Sequence, residues 1–143
     1  MRKVLLSILV LAAPAALAED PCAATAVSSA AAQAKSLASQ KKYADAQAPA
    51  RQALASCPTQ AEAVGVLGQS LVALKQNDAA ITAMNDALAK KADLAHAYLW
   101  RGYAYYNKKE PDRMVTDFET FLRLAPTAPE AAAVKQLLAS IKR

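Results

Sequence analysis

The hydrophobic and polar positions of the chain follow a pattern that repeats at a fixed interval. Gly68 and Gly102 occupy the same place in successive repeats, and segment 57–63 has a counterpart two repeats later at 125–131. Apolar residues recur at three- and four-residue spacing on both sides of a polar turn, which is typical of two helices sharing one apolar face. The registers are 27–60, 61–94 and 95–128, so one repeat has about 34 residues. One such hairpin cannot bury its own face, so we expect the three to stack into a continuous core.

The two ends of the chain differ from these units. Residues 1–18 begin with the basic Arg2 and Lys3, continue as an apolar run and end in Ala18, which is the pattern of a secretory signal peptide. A membrane anchor is the alternative, but an apolar run of about 14 residues is shorter than the roughly 20 that a spanning helix needs. We therefore expect cleavage after Ala18, a periplasmic or secreted protein, and no membrane span after cleavage. A lead-in at 19–26 and a capping helix at 129–143 complete the predicted organisation.

The repeat resembles the tetratricopeptide repeat. That family favours bulky, small and proline residues at fixed positions, and the three units match it with different completeness. The matching residues are Ala34, Leu37, Tyr43, Ala46, Ala53 and Pro58 in the first unit, Val64, Leu67, Gly68, Leu71, Ala80, Met84 and Ala87 in the second, and Tyr98, Gly102, Tyr105, Phe118 and Pro126 in the third. Arg101 replaces the usual leucine. The resemblance implies an all-α right-handed superhelix of three helical hairpins with a C-terminal capping helix.

Local sequence features add three expectations about these helices. A small residue at Gly68 and Gly102 is expected to let the two helices of one hairpin approach closely. Thr59 and Thr127, each followed three residues later by a glutamate, have the spacing of a capping box. Pro49 falls inside a predicted helix, which should therefore start late or kink and make the first unit the least regular.

The composition argues against catalysis and cofactor binding. Alanine fills 37 of 143 positions, whereas the chain has one histidine and no glycine-rich loop. A single histidine permits neither a histidine-paired metal site nor an obvious nucleophile–histidine arrangement, so we expect no enzyme, no metal and no cofactor. The net charge of +5 falls to about +3 after the predicted cleavage and is spread along the chain, so nucleic acid is not an expected partner.

Cys22 and Cys57 are the two cysteines. Export would place them in an oxidising compartment, where a disulfide is permitted. In an antiparallel hairpin the start of the first helix lies near the end of the second, and the two cysteines occupy those places, so a bridge is favoured. Two reduced, buried thiols are the alternative.

The resemblance also implies a concave groove lined by the first helix of each unit. Carried over by position, the lining residues are Ala31, Lys35 and Ser39, then Glu62, Gln69, Val72 and Ala73, then His96, Leu99, Tyr103, Tyr106 and Asn107. Tyr103 and Tyr106 are predicted to face the groove, and Tyr98 and Tyr105 to face the core. The cations that some family members use to bind acidic peptide tails are missing, apart from Lys35. The predicted function is a non-catalytic adaptor of the cell envelope that holds a peptide or helix of another protein. Self-association is the alternative, and binding of a small ligand or glycan is a weaker one.

Overall fold

The computed structural model describes residues 20–141, so the predicted signal peptide at 1–18 and the end of the predicted capping helix lie outside the described residues. Within 20–141 the chain forms helices and no strand. A short 3₁₀ turn at Pro21–Ala23 precedes seven α-helices. These are α1 (Thr25–Ser39), α2 (Tyr43–Ser56), α3 (Ala61–Ala73), α4 (Asn77–Lys90), α5 (Ala95–Asn107), α6 (Pro111–Leu124) and α7 (Ala131–Ile141).

The turn inside each hairpin has the same backbone conformation. Lys41, Lys75 and Lys109 adopt positive φ values of 60°, 62° and 62°. In the first turn the N–H of Lys42 donates to the carbonyl of Leu37 over 2.9 Å, and the other two turns have the corresponding bond. This is the Schellman arrangement, which ends a helix with one residue in the left-handed region. Glycine is the usual residue at that position, but each turn here has a lysine.

The hairpins stack into the all-α right-handed superhelix that the resemblance to the tetratricopeptide repeat implies. The first helices, α1, α3 and α5, pack side by side as one layer, and each second helix packs between consecutive first helices. Small side chains fill much of the cluster that runs from the first hairpin to α5. The fully buried alanines there are Ala34, Ala46, Ala50, Ala80 and Ala104. Helix α7 covers the last hairpin, where Val134 and Leu138 join a cluster with Phe118 and Phe121. Alanine thus allows close helix packing at the start of the array, whereas large side chains fill the core at its end.

The two glycines that share a repeat position accommodate different neighbours. A Cβ atom at Gly102 would lie 2.7 Å from two ring carbons of Phe118, so Gly102 does let α5 approach its hairpin partner α6. A Cβ atom at Gly68 would instead lie 2.6 Å from the Cβ of Trp100, on the first helix of the next hairpin. The expectation for Gly68 was therefore wrong about the partner helix, because Trp100 is the bulky neighbour that reaches this point.

Two local expectations about where helices start and how they are capped are corrected. Helix α2 does not start late at Pro49: it begins at Tyr43, and it has the same 14 residues as α4 and α6. Pro49 is buried inside it, so the packing of α2 overrides the proline's cost. Helix α3 is capped by the Gln60 side chain, which accepts from the Ala63 N–H over 2.6 Å, and not by Thr59.

The start of α7 departs from the prediction in the same way. This helix begins at Ala131, two residues later than expected, after a series of turns that contains Thr127. The capping-box spacing at Thr127 therefore does not mark the first turn of α7, because the chain between Pro126 and Glu130 is still turning.

A disulfide joins the lead-in to the end of the first hairpin. The Cα atoms of Cys22 and Cys57 are 4.8 Å apart and their sulfurs are bonded. Cys57 is buried with Val27 and Ala53, so the bridge attaches the 3₁₀ turn to the core of α1 and α2. Among the helices of residues 20–141, none is both long and apolar enough to cross a bilayer.

Candidate functional site

The concave face of the array contains a groove of about 520 Å³. Its walls come from α1, α3 and α5 and from the turn before α7. The lining residues are Lys35, Ala61, Glu62, Gly65, Val66, Gln69, His96, Trp100, Pro129 and Glu130. Glu62, His96 and Glu130 hold the same position in successive repeats, so the repeat places them in equivalent positions along the groove.

One ion pair and one histidine–carboxylate contact connect neighbouring elements across this surface. Lys35 Nζ lies 3.0 Å from Glu62 Oε1, and His96 Nε2 lies 3.5 Å from Glu130 Oε2. The Oε2 atom of Glu130 is shielded from solvent and accepts no hydrogen bond from the residues that the structure describes. The pairs link α1 with α3 and α5 with the turn before α7, and their exposed atoms remain available to a ligand.

Aromatic rings support the groove near Glu130. Trp100 lines it, and the ring centroid of Tyr103 lies 5.5 Å from that of Trp100. Tyr103 also packs edge-on against Phe118 at 5.0 Å. Burial raises the pKa of the Tyr103 hydroxyl above its usual value, and the negative charge of Glu130 raises it further. Tyr103 therefore stays a neutral, half-buried group that holds Trp100 in place.

The structure brings four of the twelve predicted groove residues together. Lys35, Glu62, Gln69 and His96 line the same groove. Leu99 does not: it is fully buried in the cluster that α5 and α6 form with α7. The prediction for Leu99 was wrong because α7 covers the last hairpin and turns this position into the interior. Two further positions, Ala31 and Val72, are also buried.

The other predicted residues occupy other places, and Ser39 and Ala73 are exposed outside the groove lining. Tyr103 lies behind Trp100, as described above. Tyr106 and Asn107 line a separate apolar depression of about 540 Å³ together with Met114 and Ile141, where α5 ends. Asn107 donates a hydrogen bond to Asn77 over 2.9 Å, and Tyr106 is exposed. Tyr103 and Tyr106 thus do not line the same depression, and whether they face a bound partner stays a prediction.

The two tyrosines that were predicted to face the core differ in how deeply they are buried. Tyr105 is buried, whereas Tyr98 is half-buried and donates its hydroxyl to the carbonyl of Ala92 over 2.9 Å. Tyr98 packs against the cluster of the last hairpin and also lies under the Arg101 guanidinium. Only Tyr105 is therefore a full member of the core.

Sequence reasoning missed Trp100 and Glu130. Glu130 is the repeat equivalent of His96, so extending the register by one more unit beyond residue 128 would have identified it as a groove residue. No predicted groove position corresponds to Trp100. Its side chain lies in the groove because Gly68 has no side chain and leaves room for it.

A second polar cluster lies outside the groove, between α5 and α6. The Arg101 guanidinium donates to both carboxylate oxygens of Asp117, over 2.8 and 2.7 Å, and to Asn85 Oδ1 over 2.7 Å. The hydrogen bond from Arg101 to Asp117 is the main cause that raises the pKa of the guanidinium. Asp117 is 3% exposed. This network replaces the usual leucine contact and ties α4, α5 and α6 together.

These side chains suit recognition of another molecule. Within residues 20–141 no group of three or more histidine, cysteine or acidic residues is placed to hold a metal ion. The groove combines one tryptophan face with an amide, one lysine and two carboxylates. Such groups bind by hydrogen bonding, charge and stacking.

The sequence comparison agrees with the fold. The family model for the tetratricopeptide repeat matches residues 31–95 and 66–129, and the chain belongs to this family. Tetratricopeptide repeats are protein–protein interaction modules, and proteins with this fold are in general not catalysts. No curated protein sequence matches the chain.

Three solved structures show the same fold. The type III secretion translocator chaperone SycD of Yersinia enterocolitica, in an alternative dimer, is 17% identical over 83% of this chain and 93% of its own, with a TM-score of 0.72. The first tetratricopeptide domain of human RPAP3 is 22% identical over 80% and 93%, with a TM-score of 0.66. The first such domain of Spaghetti (RPAP3), bound to the HSP90 peptide SRMEEVD, is 21% identical over 79% and 93%, with a TM-score of 0.64.

Proposed function

We propose that the protein is a non-catalytic adaptor that holds a peptide or helical segment of a partner protein in its concave groove. The observation that carries this proposal is the groove itself, in which a tryptophan, an amide and paired charges from three consecutive first helices line one surface. A groove shared by three helices presents a row of contacts, which suits an extended or helical chain more than a compact small molecule.

The family supports peptide binding in the groove, and the charged residues of the groove limit the kind of peptide that fits. One neighbour in fold is bound to the peptide SRMEEVD, which is acidic. In this chain Lys35 is the one lysine of the groove and is already paired with Glu62. An acidic peptide tail would have to displace that pair and approach Glu130, so this class of ligand is disfavoured.

A blocking substitution tests the groove directly. Gly65 lines it, and a Cβ atom there would make only an ordinary contact of 3.5 Å with His96, so Gly65→Gln should fold and fill the groove. Ala89→Gln adds the same side chain at an exposed position of α4 and serves as the matched control. Circular dichroism and thermal unfolding verify that both variants fold.

Partner capture then separates the outcomes. Immobilised protein is incubated with envelope extract, and captured proteins are identified by mass spectrometry. We expect a protein retained by the wild type and by Ala89→Gln to be lost with Gly65→Gln. Equal retention by all three proteins would mean that binding does not use the groove.

The proposed site of action is the cell envelope, and this part rests on the sequence of residues 1–18. Amino-terminal sequencing of protein expressed in a bacterial host tests it. The expected mature chain begins at Glu19, after cleavage behind Ala18, and it is found in the periplasmic fraction or the medium. Recovery of an uncleaved chain from the cytoplasm would overturn the proposal of export.

Self-association is the second candidate, and the depression at the end of α5 favours it. Tyr106 and Ile141 are exposed there at 49% and 40% and line one depression, and neighbouring exposed apolar side chains can mark an interaction surface. Light scattering over a wide range of protein concentration measures the effect. A mass that rises with concentration in the wild type and not in Tyr106→Lys would support self-association, and a constant monomer would exclude it.

A further inference from the structure

The groove carries more negative than positive charge, although the chain as a whole is basic. One lysine against two glutamates leaves its lining with a net charge of −1 while His96 is neutral, whereas the full chain carries +5. An acidic groove on a basic protein attracts cationic segments and repels anionic ones.

Glu130 is the groove carboxylate that the protein satisfies least. Its Oε2 atom is shielded from solvent and accepts no hydrogen bond from the described residues. His96 Nε2 approaches it to 3.5 Å, which is long for a charge-assisted hydrogen bond. Buried polar atoms are nearly always hydrogen-bonded in folded proteins, so this oxygen, whose nearest partner is the distant His96 nitrogen, can accept a hydrogen bond from a bound ligand.

The neighbours of Glu130 suit a cationic donor. Trp100 lines the same groove, and a tryptophan face attracts a guanidinium or ammonium group by cation–π interaction. Gln69, also in the lining, offers an amide oxygen that can accept a hydrogen bond. Tyr103, which packs against Trp100, is a neutral side chain and adds no charge of its own.

We infer that Glu130, Glu62 and Trp100 form a subsite that selects partner segments by an arginine or lysine side chain. This inference rests on the proposed peptide-binding function and specifies the class of peptide that the groove takes. The cation would lie against the Trp100 ring and donate to Glu130, and Glu62 would add to the negative potential along the groove. The subsite thus favours basic segments over acidic tails.

Selection from a random peptide library tests the preference without a known partner. A phage-displayed library of random heptapeptides is selected against three proteins: the wild type, Glu130→Gln and Asp86→Asn. Asp86→Asn makes the same change of charge at an exposed position of α4. We expect the wild type and Asp86→Asn to enrich peptides that share an arginine or lysine. We expect this preference for a basic residue to be lost with Glu130→Gln.

Affinities of the selected peptides then give the magnitude. Trp100 is the only tryptophan of the chain and lines the groove, so its fluorescence reports binding there directly. Replacing the basic residue of a selected peptide by glutamine should weaken binding about tenfold, as expected for the loss of one charge-assisted hydrogen bond. The same replacement should change binding to Glu130→Gln by less than about twofold.

The outcomes distinguish this inference from the proposed function. Enrichment of peptides without a basic residue, whose binding is abolished by Gly65→Gln, would overturn the preference and leave the peptide-binding groove in place. Enrichment of basic peptides that bind Gly65→Gln and Glu130→Gln as well as the wild type would place them outside the groove and overturn the subsite. Failure to enrich any peptide would count against both.

Discussion

Removing the carboxylate of Asp117 should destabilise the protein strongly, because it leaves the charge of Arg101 without its partner. The two side chains form a bidentate ion pair across α5 and α6, with N–O distances of 2.8 and 2.7 Å. The side chain of Arg101 is 18% exposed and that of Asp117 is 4% exposed. The perturbation is Asp117→Leu, which keeps the number and branching of the side-chain heavy atoms and deletes both acceptors.

The magnitude follows from the burial of the pair. Breaking a buried pair by removing one partner costs about 3–5 kcal/mol. The partial exposure of Arg101 lets water reach part of the guanidinium, and Asn85 Oδ1 keeps one of its hydrogen bonds at 2.7 Å, so we expect the lower end, about 3 kcal/mol. For a domain of this size that corresponds to a fall in melting temperature of about 10 °C.

A double-mutant cycle measures the interaction. The four proteins are the wild type, Arg101→Met, Asp117→Leu and the double variant, compared by urea unfolding followed by circular dichroism. Each single variant should lose about 3 kcal/mol, whereas the double variant should lie within about 1 kcal/mol of the wild type because it leaves no buried charge. Asp86→Ala, which removes an exposed carboxylate from α4, should change stability by less than about 0.5 kcal/mol.

Additive losses in the double variant would refute this reasoning, since they would mean that the two charges do not depend on each other. A single variant as stable as the wild type would refute it equally. The pair would then contribute only what an exposed ion pair does.

Three other substitutions test the packing, the turns and the disulfide by thermal or urea unfolding. Gly102→Ala should lower the free energy of unfolding by about 1–2 kcal/mol, because the new Cβ would lie 2.7 Å from the Phe118 ring. Gly65→Ala has room for a Cβ and should raise the free energy of unfolding by about 0.5–1 kcal/mol. Equal effects would contradict the packing argument. Lys75→Gly should stabilise by about 0.5–1 kcal/mol by relieving a left-handed backbone with φ of 62°, and Lys75→Ala, which keeps a Cβ, should not. Replacing Cys22 and Cys57 by serine should lower the free energy of unfolding by about 3.5–4 kcal/mol, as expected for a sequence separation of 35. A reductant should lower the melting temperature of the wild type but not that of the serine variant. Two free thiols in the unfolded wild type would show that no bridge exists.

The order of the helices could be derived from the chain because its signals are local and periodic. Hydrophobic spacing identifies a helix within about 15 residues, and a constant offset between repeats identifies equivalent helices without any knowledge of their contacts. In the structure, α2, α4 and α6 begin at the same repeat position, at Tyr43, Asn77 and Pro111. Even Pro49 does not disturb this register, because the apolar face of α2 is held by its neighbours.

The composition of the groove was predictable only in part, because a first helix contacts several neighbours at once. Family position placed Lys35, Glu62, Gln69 and His96 on the groove, and the structure has them there. It also placed Leu99 there, but α7 buries that residue. Whether a side chain lines a groove or fills a core depends on the size of residues that are distant in sequence.

The sequence by itself determined the repeat length, the helical hairpins and the family. Each of these depends on the spacing of apolar residues along a short stretch of chain. The tertiary structure decided which residues meet: Arg101 with Asp117, Trp100 with Gly68, and His96 with Glu130. These pairs depend on the distance and rotation between stacked helices, which the packing of all the side chains sets together.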